Sequence, residues 1–157
     1  MGRKLSEERI AEKLKKKKKP LAVAESCTGG LVSSRITDMP GSSGYFLGGV
    51  VTYSNEAKKN LLGVPPGLIE KHGAVSREVS IRMARGARKV FKSDIAVSVT
   101  GIAGPSGGTK QKPVGLAYIS FASGRDRKVR KVFFKGTRRV IKKKFSDAVL
   151  ELIEKNI

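Results

Sequence analysis

Ser26 and Cys27 stand side by side in the stretch Ala24-Glu25-Ser26-Cys27-Thr28-Gly29-Gly30, after an apolar run, Leu21 to Ala24, and before a helical pattern, Leu31 to Met39. A strand, a tight turn and a helix start are predicted there. The first N–H groups of a helix lack internal partners, so such a turn favours negative charge, and a hydroxyl placed in it can act as a nucleophile. With Ser26 at the strand's end, and Gly29 and Gly30 letting a ligand approach the backbone, developing oxyanion charge would meet N–H donors. The arrangement resembles a nucleophile elbow without the G-x-S-x-G pattern. Two other readings stay open: Ser26 as a plain helix cap, and Cys27 as the nucleophile, which needs an electropositive partner. Glu25 either orients the loop by accepting backbone hydrogen bonds or makes a surface pair.

Other chemistries are short of residues. Cys27 is the only cysteine and His72 the only histidine, which leaves no internal disulfide, no cysteine-cluster zinc site, and no Ser-His-Asp triad unless His72 reaches Ser26. Neither a metal nor a cofactor is expected. A chain of 157 residues with 39% apolar content suits one compact domain, residues 1–157, opening with a basic helix within residues 1–19. No run approaches the roughly 18 to 20 apolar residues of a membrane span, and Met1 to Lys19 lacks the apolar centre of a secretory signal, so a cytoplasmic protein away from membranes is expected. The net charge of +20 is concentrated in Lys15 to Lys19 and Arg125 to Lys144. Nucleic-acid binding would require these runs to form a continuous basic face, whereas a solvated lysine-rich surface requires nothing further. With 6% aromatic residues, no Trp, and no recognisable RNA- or DNA-binding motif, nucleic acid is not expected as the primary partner.

The elements that must position the turn alternate along the chain. Leu5 to Lys18 reads as a charged helix with a narrow buried face at Ile10 and Leu14, and Leu21 to Ala24 as a short strand. Leu31, Ile36 and Met39 mark the apolar side of the next helix, which Pro40-Gly41 stops. Tyr45 to Tyr53 is a β-prone run interrupted by Gly48-Gly49, read as a central strand with a bend or close backbone approach. Ser54-Asn55 offers a cap for a helix over Asn55 to Leu62, closed by Gly63, and Pro65-Pro66 leads into a short helix ending near His72-Gly73. Ser76 caps a long helix ending near Phe91, with Val79, Met83, Ala87 and Val90 on its apolar side. Ile95 to Val99 is a buried strand entering the glycine-rich loop Thr100 to Gly108. Val114 to Ala122 and Val129 to Phe134 read as a hairpin around a polar turn, Ser123 to Lys128, and Val140 to Ile157 as a final helix. The order predicts an α/β fold: a three-layer α/β/α sandwich on a mixed, largely parallel central sheet with an antiparallel edge.

Taken together these segments resemble the C-terminal domain family of the competence/damage-inducible protein CinA, whose stand-alone members are nicotinamide-nucleotide amidases. The resemblance covers most of the chain. It is carried by the Ala24 to Gly30 stretch, by Pro40-Gly41-Ser42-Ser43 and Gly48-Gly49-Val50-Val51, and by Tyr53-Ser54-Asn55-Glu56-Ala57-Lys58 with Leu61-Leu62-Gly63-Val64. It continues through Gly73-Ala74-Val75-Ser76, Val99-Thr100-Gly101-Ile102-Ala103-Gly104-Pro105, Gly107-Gly108-Thr109 and Lys112-Pro113-Val114-Gly115. The long N-terminal domain of some relatives, linked to ADP-ribose pyrophosphatase activity, does not fit in this chain, and that activity is not carried over.

The resemblance implies hydrolysis of the carboxamide of nicotinamide mononucleotide to nicotinate mononucleotide and ammonia, a step of the pyridine nucleotide cycle in NAD metabolism. Ser26, Tyr53 and Lys58 match the family's catalytic positions. Without a suitable histidine, a lysine with a depressed pKa is the natural base for a serine, and Tyr53 would relay or orient the proton. Thr28, Gly29 and Gly30 would line the substrate turn, and Ser42, Ser43 and Arg138 are the candidates for a phosphate site. Arg138 is preferred to its neighbour Arg139, although Thr137 departs from the family's commoner acidic residue. Thr100 and Gly101 would face the nicotinamide or the reacting carbonyl. The partner expected is a small pyridine nucleotide, the assembly a homo-oligomer such as a dimer. The alternative functions are a non-catalytic nucleotide-binding module and a basic nucleic-acid-binding domain.

Overall fold

The computed structural model describes residues 5–124 and 126–157, so Arg125 of the expected basic turn lies outside the described residues. The elements in chain order are α1 (Ser6–Lys17), β1 (Leu21–Glu25), α2 (Leu31–Thr37), a 3-10 turn (Ser42–Gly44), β2 (Phe46–Val51), α3 (Asn55–Leu62) and α4 (Pro66–His72). They continue with α5 (Arg77–Phe91), β3 (Ile95–Gly101), β4 (Leu116–Ser123), β5 (Asp126–Phe133) and α6 (Arg138–Asn156). The strands form one five-stranded sheet in the order β2-β1-β3-β4-β5. β1 pairs in parallel with β2 and β3, while β3-β4 and β4-β5 are antiparallel. Helices α1, α2 and α6 cover one face and α3, α4 and α5 the other, which is the sandwich expected from the alternation of elements.

The two faces differ in side-chain size, and this follows from the period-2 alternation of a strand. Leu21 and Val23 of β1 and Ile95, Val97 and Val99 of β3 point into the larger core, against Ile10, Leu14, Phe145, Val149 and Ile153. The intervening positions are small: Ala22, Ala24 and Ala96 meet Val79, Met83 and Ala87 of α5. Ser98 Oγ donates to Ser80 O at 2.6 Å, and the Ser80 and Ser120 hydroxyls lie 2.7 Å apart. Small side chains with paired hydroxyls let α5 lie close to the sheet. Gly86 brings α3 equally close, since a Cβ there would overlap the Leu62 carbonyl.

One expectation is overturned. Tyr45 to Tyr53 does not run through the centre of the sheet; its strand, β2, is an edge. Apolar content suggested burial on both sides, yet Leu47 and Val51 remain about half exposed, at 47% and 45%. The close backbone approach read from Gly48-Gly49 is present: a Cβ on Gly48 would overlap the Phe91 ring and one on Gly49 the Ser33 hydroxyl. The glycines therefore serve packing against α5 and α2 on the two sides of an edge strand. The hairpin is longer than its apolar pattern, with Ser123 pairing Asp126, because the charged outer strand β5 lacks an apolar signal there.

Candidate active site

Consecutive residues at the end of β1 point to opposite layers, and this parity builds the site. Glu25, in phase with Leu21 and Val23, is completely buried on the α2 side. Its carboxylate accepts from Thr28 Oγ1 at 2.7 Å, Val32 N at 2.9 Å, Ser33 N at 3.0 Å and Ser33 Oγ at 2.8 Å. It thus satisfies orphan N–H groups at the start of α2, a cap supplied from five residues before the N-cap glycine, Gly30. Gly29 and Gly30 have φ of 62° and 105°, left-handed values that favour glycine and let the chain turn sharply between β1 and α2.

Ser26 faces the other layer. Its N–H donates to Val99 O at 3.0 Å, continuing the sheet, and its Oγ lies 3.1 Å from Nζ of Lys58 on α3. Ser54 accepts from Ala57 N and starts α3 where the Ser54-Asn55 cap predicted, so Lys58 projects inward one turn later. Lys58 is 1% exposed and Ser26 7%. The Lys58 amine also lies 2.9 Å from Thr52 O and 3.2 Å from Tyr53 O. Carbonyls only accept, so a neutral amine gives them its two N–H bonds and turns its lone pair toward Ser26 Oγ. Burial pushes the Lys58 pKa below the ordinary lysine value of 10.5, with Cys27 opposing it. That opposition needs a thiolate, and burial pushes the Cys27 thiol up to about 12, so at neutral pH the thiol is uncharged. The same shift removes the basis for Cys27 as an activated nucleophile.

A cleft of about 240 Å³ opens over this pair, walled by Tyr53, Asn55, Thr100, Gly104 and Arg138 among others. Arg138 opens α6, donating from Nη1 to Gly104 O at 2.6 Å and from Nη2 to the Tyr53 hydroxyl at 2.9 Å. It ties the glycine-rich loop to the cleft mouth, whereas Arg139 is not in the cleft wall. Thr100 and Gly101 line the cleft, but the Thr100 hydroxyl donates to Ala74 O at 2.9 Å. Gly101 answers to packing as well: a Cβ there would sit 2.6 Å from Ala117 Cβ. The Tyr53 side chain is turned outward, 60% exposed, and it is the Tyr53 carbonyl, not the hydroxyl, that touches Lys58.

Other predicted residues lie elsewhere. Ser42 and Ser43 sit in the 3-10 turn before β2, and β2 runs parallel to β1, so they stand at the end of the sheet opposite Ser26. Six residues of strand separate the ends by roughly 20 Å, too far for these hydroxyls to share one phosphate with Arg138 within one chain. They were grouped with Arg138 by chemistry, without strand direction. Thr28, Gly29 and Gly30 shape the turn and do not line the cleft, Thr28 being held by Glu25. Two residues were missed. Asn55 lines the cleft at the first turn of α3, where its position had been read only as a cap. Lys142 brings its Nζ to 3.7 Å from where a Cβ of Gly29 would lie, placing a cation beside the turn; its i+4 spacing from Arg138 on α6 was the available signal. Among the described residues no group of three His, Cys, Asp or Glu side chains gathers to hold a metal, and no helix is long and apolar enough to cross a membrane.

A mixed-sheet α/β/α sandwich with a buried Ser-Lys pair at the carboxyl ends of its parallel strands is the class of protein these features define. Within that class the chain belongs to the CinA C-terminal domain family, whose family model matches residues 3–157. A CinA-like protein of Geotalea uraniireducens (strain Rf4) is 53% identical over 137 residues, 87% of this chain and 33% of that protein. A CinA-like protein of Geotalea daltonii is 50% identical over 148 residues, 94% of this chain and 36% of that protein. The chain spans about a third of the length of these curated relatives. Competence damage-inducible protein A from Klebsiella pneumoniae superimposes with a TM-score of 0.93 at 28% identity, covering 96% of this chain and 94% of that one. Competence/damage inducible protein CihA from Agrobacterium tumefaciens does so with a TM-score of 0.88 at 34% identity, covering 98% and 97%.

Proposed function

We propose that this chain is an amidohydrolase that deamidates nicotinamide mononucleotide to nicotinate mononucleotide and ammonia through an acyl-enzyme on Ser26. The observation that carries the reading is the buried Lys58 amine, 3.1 Å from Ser26 Oγ and flanked by two carbonyls. The substrate comes from the resemblance to stand-alone members of the family; the chemistry comes from the site. Neutral Lys58 takes the Ser26 proton as Oγ bonds to the amide carbon, whose carbonyl electrons move onto oxygen. The N–H of Cys27, a residue of the cleft wall that donates to no carbonyl among the described residues, is the candidate to meet that oxyanion. One such donor is worth roughly 3 to 4 kcal/mol of transition-state stabilisation.

Collapse of the tetrahedral species breaks the C–N bond while the Lys58 ammonium returns its proton to nitrogen, releasing ammonia. Water, deprotonated by Lys58, then cleaves the ester and restores Ser26. Arg138 at the cleft mouth offers its remaining N–H groups to the phosphate. The test is ammonia release from nicotinamide mononucleotide by the wild type and by Ser26→Ala, with and without a chelator. Full activity of Ser26→Ala overturns the nucleophile, loss of activity on chelation overturns the metal-free scheme, and nucleotide binding without ammonia release reassigns the cleft to a binding module.

A further inference from the structure

An open groove of about 1040 Å³, separate from the Ser26 cleft, lies at the other end of the sheet, where β3 begins. Arg82, Arg85 and Lys89 of α5, with Lys92 just after it, line one wall, and Arg127 of β5 stands across from them. Arg88 fastens the two walls together, donating to Asp94 O at 3.1 Å and to Gly124 O at 3.2 Å. Two carboxylates, Asp94 and Asp126, line the same groove, yet among the described residues none of these seven remaining charged groups is in an ion pair. Cations near a helix C-terminus can be explained by the macrodipole, but Arg82 and Arg85 lie before the last turn of α5 and Arg127 is on another element. Ser93, 5% exposed, also lines the groove with a buried hydroxyl that has no partner among the described residues.

We propose that this groove holds the phosphate backbone of duplex nucleic acid without reading its bases. The spacing is that of a linear polyanion: Arg82, Arg85 and Lys89 recur every three or four residues on one side of α5 and span about 10 Å along it, with Lys92 just beyond its end. Leu62 and Ala122 are the only apolar side chains in the described lining, and there is no aromatic ring. A nucleotide base or a single strand would find nothing to stack on, so the phosphate chain is what the groove complements. The site is independent of the Ser26 cleft, being at the opposite end of β3.

Binding of a short labelled duplex of mixed sequence, followed by fluorescence anisotropy over a salt series, tests this. With about four phosphates neutralised, affinity falls about a hundredfold between 50 and 200 mM salt. The double variant Arg82→Glu/Arg85→Glu loses at least about tenfold in affinity, with a salt slope shallower by about two, and Arg127→Glu, on a different element, loses about one in slope. Circular dichroism and an unchanged Tm confirm that each variant is folded. The charge-matched control Lys16→Glu/Lys17→Glu on α1 changes affinity less than about threefold. Equal losses in groove and control variants overturn the proposal in favour of diffuse attraction to the net charge. Binding of tripolyphosphate in the groove without duplex binding, or no duplex binding at 50 mM salt, also overturns it.

Discussion

The Lys58 amine lies 3.1 Å from the Ser26 hydroxyl while the Thr52 and Tyr53 carbonyls occupy its other two directions. Burial alone would make Lys58 a weaker acid-binding group; the two carbonyls also aim it. An arginine cannot lose its proton, and a methionine has none to exchange. Lys58→Arg and Lys58→Met should therefore each lower kcat for ammonia release about 10² to 10⁴-fold, with the fold retained by circular dichroism.

The lowered Lys58 pKa ties stability to pH with a definite sign. The unfolded chain holds this proton up to about pH 10.5, the folded chain releases it earlier, so the unfolded state binds more protons across that interval. Wild-type stability should rise relative to Lys58→Met as pH climbs from the lowered value toward 10.5, and the difference should be flat below that window. Denaturant melts of both proteins at several pH values measure it. The kcat/KM of the wild type should rise with pH through the same lowered value, because the neutral amine is the active form.

Glu25 anchors the nucleophile turn without touching Ser26. Glu25→Ala removes the acceptor of two buried backbone N–H groups and two hydroxyls, and should cost ~2–5 kcal/mol in denaturant unfolding. Glu25→Gln keeps one acceptor oxygen and should cost less. Both should lower kcat more than they raise KM, since the turn that holds Ser26 against Lys58 loses its brace.

Gly49 and Ser33 form a steric pair across β2 and α2, because a Cβ on Gly49 would overlap the Ser33 hydroxyl that is bonded to Glu25. Gly49→Ala should cost ~1–3 kcal/mol by overpacking. Adding Ser33→Ala should recover part of that loss. A double-mutant cycle with no coupling between the two would show that the overlap is relieved elsewhere.

Arg138 and Tyr53 meet through a 2.9 Å hydrogen bond at the cleft mouth. Arg138→Ala should raise KM about 10 to 100-fold with kcat within a few-fold, the pattern of lost phosphate binding. Tyr53→Phe should raise KM less and leave kcat nearly unchanged. A fall in kcat above about 100-fold for Tyr53→Phe would instead mean that its hydroxyl turns inward to relay the proton.

Much of this architecture was written locally. Ser54, Asn55 and Gly63 bracket α3 at both ends, and Ser76 starts α5, because caps and left-handed closures are short-range chemistry. Lys58 as the partner of Ser26 could be read from the resemblance and from the missing histidine. Its two carbonyl partners could not, since no side-chain type encodes where a backbone oxygen will point. The rank of β2 at the edge of the sheet was also hidden, because Phe46 to Val51 is as apolar as an interior strand while Gly48 and Gly49 owe their place to Phe91 and Ser33. Ser42 and Ser43 were misjoined to Arg138 for a related reason: hydroxyl chemistry is legible in sequence, and the end of a strand at which it falls is not.

The size difference between the two faces of the sheet has a consequence for how variation can accumulate. Glu25 is braced in the layer of large side chains and Ser26 is engaged in the layer of small ones, so the nucleophile is strung between two differently packed halves. The α1-α2-α6 half has bulky contacts that can trade volume among themselves while the brace persists. On the α5 side an added methyl at Ala22, Ala24 or Ala96 pushes the helix layer outward and carries Lys58 away from Ser26. Drift should therefore be lopsided, broad behind the brace and narrow beneath the base.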